Sequence, residues 1–187
     1  MTCCTQLLTV VAELSRAAQQ VDGAQVEALA EEILRAKRVF VAGAGRSGLC
    51  VRAFANRLMH LGICVYVAGE TVTPPLTKDD LLLIGSGSGK TSGLVVLAEK
   101  AAAIGAHLAT VTLAPQNPIG ALCRVKVVLP GTTRLLADEA RPGVSTQPMG
   151  SLFEQLSFLV YDALVLRLME ITGKKPEDLV CRHGNLE

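Results

Sequence analysis

The sequence has few aromatic side chains, no tryptophan and almost no excess of charge of either sign. Aromatic residues make up 3% of the chain, and its formal net charge is +1. Proteins that bind nucleic acids need basic surfaces and often stack bases on aromatic rings, so nucleic-acid binding is not expected. Apolar runs of the roughly 18–20 residues that a transmembrane helix needs are also missing, so membrane insertion is not expected either.

Metal-site and export patterns are missing too. The six cysteines contain no Cys-x-x-Cys pair, and with three histidines in the chain no zinc framework is present. Glu13 and Arg16 interrupt the apolar pattern of the N-terminus, which has no basic segment in front of it, so a signal peptide is not expected. We therefore predict a cytoplasmic protein with buried, reduced thiols.

The sequence is instead rich in apolar residues. Hydrophobic residues make up 50% of its 187 positions, and its mean hydropathy is +0.40. This length fits one domain with a full core. We expect the excess apolar surface to be covered by contacts between subunits.

The order of apolar segments predicts one α/β domain over residues 1–187. Periodicity predicts a helical hairpin over 1–36, and short apolar strands alternate with helices over 37–130. A loop and C-terminal helices, including a long helix over 151–171, occupy 131–187. The five strands and their crossover helices predict a parallel, doubly wound, flavodoxin-like sheet in the order 2-1-3-4-5. In that order the loops after the first and third strands flank the topological switch point, where the strand order reverses.

The loop after the third predicted strand, Gly85 to Gly93, reads Gly-Ser-Gly-Ser-Gly-Lys-Thr-Ser-Gly and opens a helix. The backbone N–H groups of such a loop, together with the positive end of the helix dipole, form a phosphate site. The P-loop of nucleoside-triphosphate hydrolases would need glycine at position 84, where Ile84 stands. We therefore expect this loop to hold a phosphate, but not that of ATP.

The loop after the first predicted strand, Gly43 to Gly48, fits the Gly-x-Gly-x-x-Gly pattern of dinucleotide-binding proteins. Glu70 follows at the distance of a ribose-binding acid, so NAD binding stays an alternative. Arg46 and Ser47 put a cation and a hydroxyl inside this loop, which favours a small anionic ligand. A second phosphate loop would also be superfluous for a dinucleotide.

Two further residues are candidates for proton transfer. Ser151-Leu-Phe-Glu154 has the Ser-x-x-Glu form of a capping box, so Glu154 is either a helix cap or a general base. His183 stands in a polar C-terminal tail with no core to fill, which makes it a candidate catalytic residue. His60 and His107, at a helix end and a strand start, are expected to be structural.

Five sequence blocks stand in a specific order and spacing, although each alone is weakly specific. They are Val41–Gly48 with Phe54–Gly62, Gly69–Pro74, Ser86–Thr91, Pro148–Glu154 and Arg182–Leu186. Together they resemble the 6-phospho-3-hexuloisomerases, a branch of the SIS (sugar isomerase) domain family. The resemblance spans essentially the whole chain.

This resemblance implies an enzyme that converts 3-hexulose 6-phosphate to fructose 6-phosphate, a step of formaldehyde fixation in the ribulose monophosphate pathway. It implies a cytosolic homotetramer without metal or cofactor. Glu154 would be the base of an enediolate mechanism, and Ser47 would bind sugar hydroxyls or the phosphate. The phosphate would be bound by the loop residues Ser86, Gly87, Ser88, Gly89, Lys90 and Thr91. Arg46 would stabilise the enediolate, and we expect His183, from a neighbouring subunit, to move protons between oxygens.

Two alternatives remain open beside this activity. The same kind of domain could serve as a non-catalytic sugar-phosphate sensor, which binds its ligand and converts none of it. It could also isomerise a different sugar phosphate, since related isomerases use the same loops on different sugars.

Overall fold

The computed structural model describes residues 4–131 and 145–185. Over these residues it contains seven helices and five strands. In chain order they are α1 (Thr5–Ala18), α2 (Gly23–Arg35), β1 (Val39–Gly43), α3 (Gly45–His60), β2 (Val65–Val67), β3 (Leu81–Gly85), α4 (Ser92–Ile104), β4 (His107–Thr112), α5 (Pro118–Leu122), β5 (Val125–Val128), α6 (Ser151–Thr172) and α7 (Pro176–Val180). Most of the long loop that the sequence predicts before α6 lies outside the described residues.

The five strands form one parallel sheet in the order β2-β1-β3-β4-β5, as the sequence predicts. Both faces of such a sheet are covered, because the crossover helices lie on them. Alternate residues of β1 show this division: Val39 and Val41 pack with α2, α3 and α6, whereas Phe40 and Ala42 pack with α4 and α5. The central strand β3 is buried along its whole length. The carboxyl ends of β1 and β3 are neighbours, and both glycine-rich loops leave from this edge.

The N-terminal helical hairpin forms as predicted. Asp22 caps α2 by accepting a hydrogen bond of 2.8 Å from a backbone N–H of its first turn. On α1, the buried side chains are Glu13 and Ala17. The N-terminal part of its apolar stripe faces outward, with Leu7 exposed by 59% and Val11 by 52%, whereas Leu14 packs against the core. Periodicity identifies such a stripe, but it does not tell which body covers it.

The long C-terminal helix α6 packs against α1, α2 and α3. It ends at Gly173, whose left-handed φ of +67° closes the last turn. Leu156 and Leu164 are buried on its inner side, whereas Leu159 and Leu166 are largely exposed. Part of the apolar surface of α6 is therefore open in a single protomer.

The thiols differ from the sequence-based prediction of general burial. Cys123 is buried, but Cys4, Cys64 and Cys181 are exposed. The three exposed cysteines lie next to the ends of α1, β2 and α7. Among the described helices, none combines the length and the apolar character that crossing a bilayer requires.

Candidate active site

The two glycine-rich loops lie side by side at the carboxyl edge of the sheet. Gly43, the last residue of β1, pairs with Gly85, the last residue of β3. A Cβ on Gly43 would stand 2.8 Å from the Cα of Gly48, so the chain can turn directly from β1 into α3 only because side chains are missing there. This tight turn places Ser47 at the wall of a cavity that also borders the second loop.

The end of β4 holds the backbone of the second loop. The N–H of Ser86 donates to the carbonyl of Val111 at 3.0 Å. The carbonyl of Gly87 accepts from the N–H of Leu113 at 3.0 Å and from Oγ1 of Thr112 at 3.1 Å. These bonds fix the shape of the loop before a ligand binds, which lowers the entropy cost of binding.

The serine hydroxyls of this loop also shape it. Oγ of Ser86 accepts from the N–H of Gly89 at 3.2 Å, and Oγ of Ser88 accepts from the N–H of Lys90 at 3.2 Å. A hydroxyl that accepts a hydrogen bond still has its own proton to donate, so both can donate to a phosphate oxygen. Thr91 is the N-cap residue of α4, and its side chain makes no capping bond to that helix. The unsatisfied N–H groups of the first turn of α4 and the positive end of its dipole both face the second loop.

Asn117 supports the second loop, a role that the sequence pattern did not predict. Its side chain is almost fully buried; it donates to Oγ1 of Thr112 at 2.8 Å and accepts from the N–H of Gly120 at 2.6 Å. A Cβ on Gly89 would stand 1.9 Å from the Asn117 amide, and Gly89 has a φ of +60°. Only glycine fits at position 89 for both reasons. The signal that could have found Asn117 is its place before Pro118, which is typical of an N-cap.

Glu154 reaches the cavity from the first turn of α6. The N-cap of this helix is Gly150, and the N–H of Glu154 bonds to the Gly150 carbonyl at 2.9 Å. The capping-box alternative is wrong, because Ser151 is already the first helical residue and no side chain caps the helix. The Glu154 carboxylate instead accepts a hydrogen bond from Nε of Arg46.

The Arg46–Glu154 pair differs in exposure between its two ends. The Glu154 side chain is 17% exposed, whereas that of Arg46 is 63% exposed. The hydrogen bond that Arg46 donates to Glu154 raises the pKa of its guanidinium, so this residue stays cationic. Because an exposed guanidinium is well solvated, the pair contributes little to stability. Its main effect is to hold the carboxylate at the cavity wall.

A cavity of about 190 Å³ separates Glu154 from the second loop. Its wall includes residues of both glycine-rich loops and of the turn before α6, namely Ser47, Ser86, Gly87, Ser88, Thr91, Met149 and Gly150. Pockets for drug-sized ligands have roughly 300–1,000 Å³, so this one fits a small metabolite better than a dinucleotide.

Glu70, the alternative ribose ligand, is paired with Arg52 at 2.6 Å, and both side chains are about half exposed. Lys90 is exposed.

His183 lies at a second cavity, of about 220 Å³, between α3, α6 and the C-terminal tail. Its ring stacks on that of His60, with 5.2 Å between the centroids. Cys50 lines this cavity, and its thiol donates to the Glu154 carbonyl at 3.3 Å, so the two cavities are neighbours. Within one protomer the structure brings the two loops and Glu154 together at the first cavity and places His183 at the neighbouring one. Over residues 4–131 and 145–185, no three His, Cys, Asp or Glu side chains are grouped as a metal site would need.

A sequence model of the SIS domain matches residues 32–156. The chain belongs to the SIS domain family. The matched part runs from α2 into the first turns of α6, so it contains both glycine-rich loops and Glu154. The family predicted from the sequence blocks is thereby confirmed.

Two relatives and one solved structure carry names that are more specific than that of the SIS family. A protein of Bacillus subtilis (strain 168) named 3-hexulose-6-phosphate isomerase is 41% identical over 179 residues, 95% of each chain. A protein of the same name from Mycobacterium gastri is 45% identical over 175 residues, 94% of this chain and 86% of the relative. A crystallised Methanococcus jannaschii protein, for which a 3-hexulose-6-phosphate isomerase function was inferred, superposes with a TM-score of 0.82 at 30% identity, covering 98% of this chain and 100% of the other.

Proposed function

We propose that this protein is a 3-hexulose-6-phosphate isomerase, which interconverts 3-hexulose 6-phosphate and fructose 6-phosphate. The observation that carries the proposal is the Glu154 carboxylate, which lies on the wall of one small cavity with a phosphate-type loop. The names of two relatives, 41% and 45% identical over nearly the whole chain, support the choice of substrate.

The phosphate binds at the second loop. The hydroxyls of Ser86 and Ser88 donate to its oxygens, together with Thr91 and the first N–H groups of α4. A helix N-terminus attracts a dianion through its dipole and its unsatisfied donors. With the phosphate held there, the carbon chain of the sugar extends across the cavity toward Glu154. Ser47, on the same wall, donates to a sugar hydroxyl.

The reaction moves a carbonyl between C3 and C2. Glu154 takes the proton from C2 of the 3-hexulose, and the C–H electrons form the C2–C3 double bond of an enediolate with the charge on O3. The O2 proton is then transferred to O3, so the charge moves to O2. The carbonyl forms at C2 as the protonated Glu154 returns its proton to C3. A base held within hydrogen-bond reach contributes through proximity as well as through proton transfer.

Arg46 acts on the charge that develops during this sequence. Its Nε–H is bonded to Glu154, which keeps the carboxylate in place. Its remaining N–H groups can donate to O2 or O3 as the negative charge passes from one to the other. A donor that is already oriented toward the developing charge gives more stabilisation than one that must reorganise.

We assign the proton exchange between O2 and O3 to His183 of a neighbouring subunit. Within its own protomer, His183 lines the adjacent cavity and stacks on His60. The exposed apolar sides of α1 and α6 supply surface for contacts between copies. A homotetramer, the assembly that the sequence resemblance implies, would provide such contacts.

A coupled assay tests the function. The purified protein, treated with a chelator and freed of nucleotide, is incubated with 3-hexulose 6-phosphate. After the reaction is stopped, the fructose 6-phosphate formed is measured in a separate dehydrogenase-linked assay. We expect turnover without added metal or cofactor. Binding of the substrate without turnover would identify a sensor, and turnover only of another sugar phosphate would reassign the substrate.

A further inference from the structure

Glu13 of α1 makes contacts far from its own helix. Its side chain is buried, with 5% of the residue exposed. One carboxylate oxygen accepts from the N–H and from Oγ1 of Thr146, both at 2.7 Å. The other accepts from Oγ of Ser145 at 2.7 Å and from Nε2 of Gln147 at 3.0 Å. All four donors belong to three consecutive residues, 132–134 positions along the chain.

This arrangement needs a carboxylate. Burying a charged group is costly unless its hydrogen-bonding capacity is filled, and here four donors converge on two oxygens. These bonds, led by that from the Thr146 N–H, lower the pKa of Glu13 to about 2. A glutamine in its place would turn an amide NH₂ group toward two donors and accept with one oxygen alone.

The segment that Glu13 holds leads directly into the candidate active site. After Gln147, the N–H of Ser151 closes a turn on the carbonyl of Pro148 at 3.1 Å. Met149 in this turn has a φ of +57°, which is unfavourable for a residue with a side chain. Met149 and Gly150 line the cavity, and α6 begins at the next residue. The place of Glu154 therefore depends on where residues 145–147 are anchored.

We propose that Glu13 is a positioning residue for the isomerisation: it anchors residues 145–147, and through them the cavity wall and the catalytic end of α6. It does not touch the substrate. The second loop is held separately, by β4 and Asn117. The anchor thus affects the distance between the base and the sugar, but not the phosphate loop. The activity readout of this proposal rests on the proposed function, whereas the structural readout does not.

The test uses Glu13→Gln, Thr146→Val and the double variant, in the full chain, with Glu31→Gln as the control. Glu31 is an exposed glutamate on α2. We expect Glu13→Gln to lower kcat for 3-hexulose 6-phosphate by about 10- to 100-fold, the cost of a misplaced catalytic group. Binding of inorganic phosphate, followed by NMR titration, should change less than about twofold. Glu31→Gln should match the wild type in both.

Thr146→Val is the milder variant and keeps the proposal testable if Glu13→Gln does not fold. It removes one hydroxyl donor and leaves Glu13 in place. It should show the same pattern to a smaller extent. The double variant should be no worse than Glu13→Gln alone, since both changes act on one cluster. A kcat within twofold of the wild type in both single variants would overturn the proposal. A loss of phosphate affinity as large as the loss of kcat would also overturn it, because it would indicate that the whole site has become less ordered.

Amide hydrogen exchange separates this proposal from the proposed function. In Glu13→Gln, peptides covering residues 145–156 should exchange at least about tenfold faster, as expected when charge-assisted bonds are lost. If the wild type turns over no 3-hexulose 6-phosphate, the function fails while faster exchange still supports the anchor. Unchanged exchange in these peptides would reject the anchor, whatever the activity.

Discussion

Arg46 donates from Nε to Oε2 of Glu154, across 108 positions of the chain. This contact joins the first turn of α3, within the first glycine-rich segment, to the first turn of α6. It fixes the carboxylate at the wall of the cavity and leaves the guanidinium mostly in solvent. The carboxylate that we propose as the base and the cation that we propose stabilises the enediolate are thus placed as one unit.

Replacing Glu154 by glutamine should remove the base without changing the shape of the site. We expect turnover to fall by about 10²- to 10⁴-fold, the usual contribution of a general base. Fructose 6-phosphate should still bind, because the phosphate loop is intact; calorimetry measures this. Glu170→Gln, at the exposed far end of the same helix, is the matched control and should keep wild-type turnover. Near-normal turnover of the Glu154 variant would remove this residue from the mechanism.

Replacing Arg46 by methionine should slow the reaction more than it weakens binding. Loss of a donor to a developing oxyanion costs about 10²- to 10³-fold in kcat. Arg46→Lys should recover only part of this, because a single ammonium cannot bond Glu154 and an enediolate oxygen with the geometry of a guanidinium. Arg52→Met is the control: it lies on the same helix and pairs with Glu70 at the surface. Equal kinetic losses in both methionine variants would contradict the assigned role.

Replacing Gly89 by alanine should distort the second loop. Position 89 has a φ of +60°, and the new Cβ would meet Asn117. The left-handed conformation alone costs about 1–2 kcal/mol for a residue with a side chain. We expect a lower free energy of unfolding in urea and loss of phosphate binding. Gly23→Ala, where the added Cβ meets nothing within 4 Å, should be neutral or stabilising by up to about 1 kcal/mol. Undiminished phosphate binding in Gly89→Ala would place the anion elsewhere.

Asp80 should make stability dependent on acid pH. Its buried carboxylate accepts from Nε and Nη2 of Arg38 at 2.9 and 2.6 Å and from the N–H of Thr77 at 2.7 Å. The bond from Arg38 is the largest cause that lowers the pKa of Asp80 from 3.8 to about 2. Because this pKa is lower in the folded state, the contribution, about 2 kcal/mol, is full above the unfolded pKa near 4. It is lost as the pH falls from about 4 to about 2.

Asp80→Asn tests that dependence through urea unfolding at several pH values. The variant should be less stable than the wild type by about 2 kcal/mol or more at pH 7, since it also leaves Arg38 without its buried partner. The difference should narrow as the pH falls toward 3. Asp79→Asn changes an exposed neighbour and should leave the stability curve in place. A stability difference that stays constant down to pH 3 would show that the carboxylate charge is not its source.

The sequence predicted the parts of the molecule that depend on local patterns. The strand order follows from short apolar runs and right-handed crossovers, and both glycine-rich loops then fall at one edge. Asp22 was found as a cap because capping involves residues two positions apart. The capping box at Ser151 failed although its pattern is present, because the turn before α6 gives the N-cap position to Gly150. Local chemistry permits a cap, but the path of the incoming chain decides whether it forms.

Local patterns do not predict which side chains meet when they are far apart in the chain. Nothing near Glu13 or Arg46 indicates that each meets residues more than a hundred positions away. The exposure of Leu7 and Val11 on α1 could not be predicted either, because an apolar helix face does not reveal which surface it packs against. The roles of Glu154, Ser47 and the loop hydroxyls remain predictions, and the variants above test Glu154 and the second loop.

The cavity has two walls with independent supports: the phosphate loop rests on β4 and Asn117, and residues 145–150 rest on α1. One consequence concerns evolution. Under the proposed function, substitutions in residues 145–150 can reshape the space for the sugar while the second loop keeps its geometry and its affinity for phosphate. New sugar specificities can therefore arise by drift in one short segment, without passing through variants that no longer bind phosphorylated substrates.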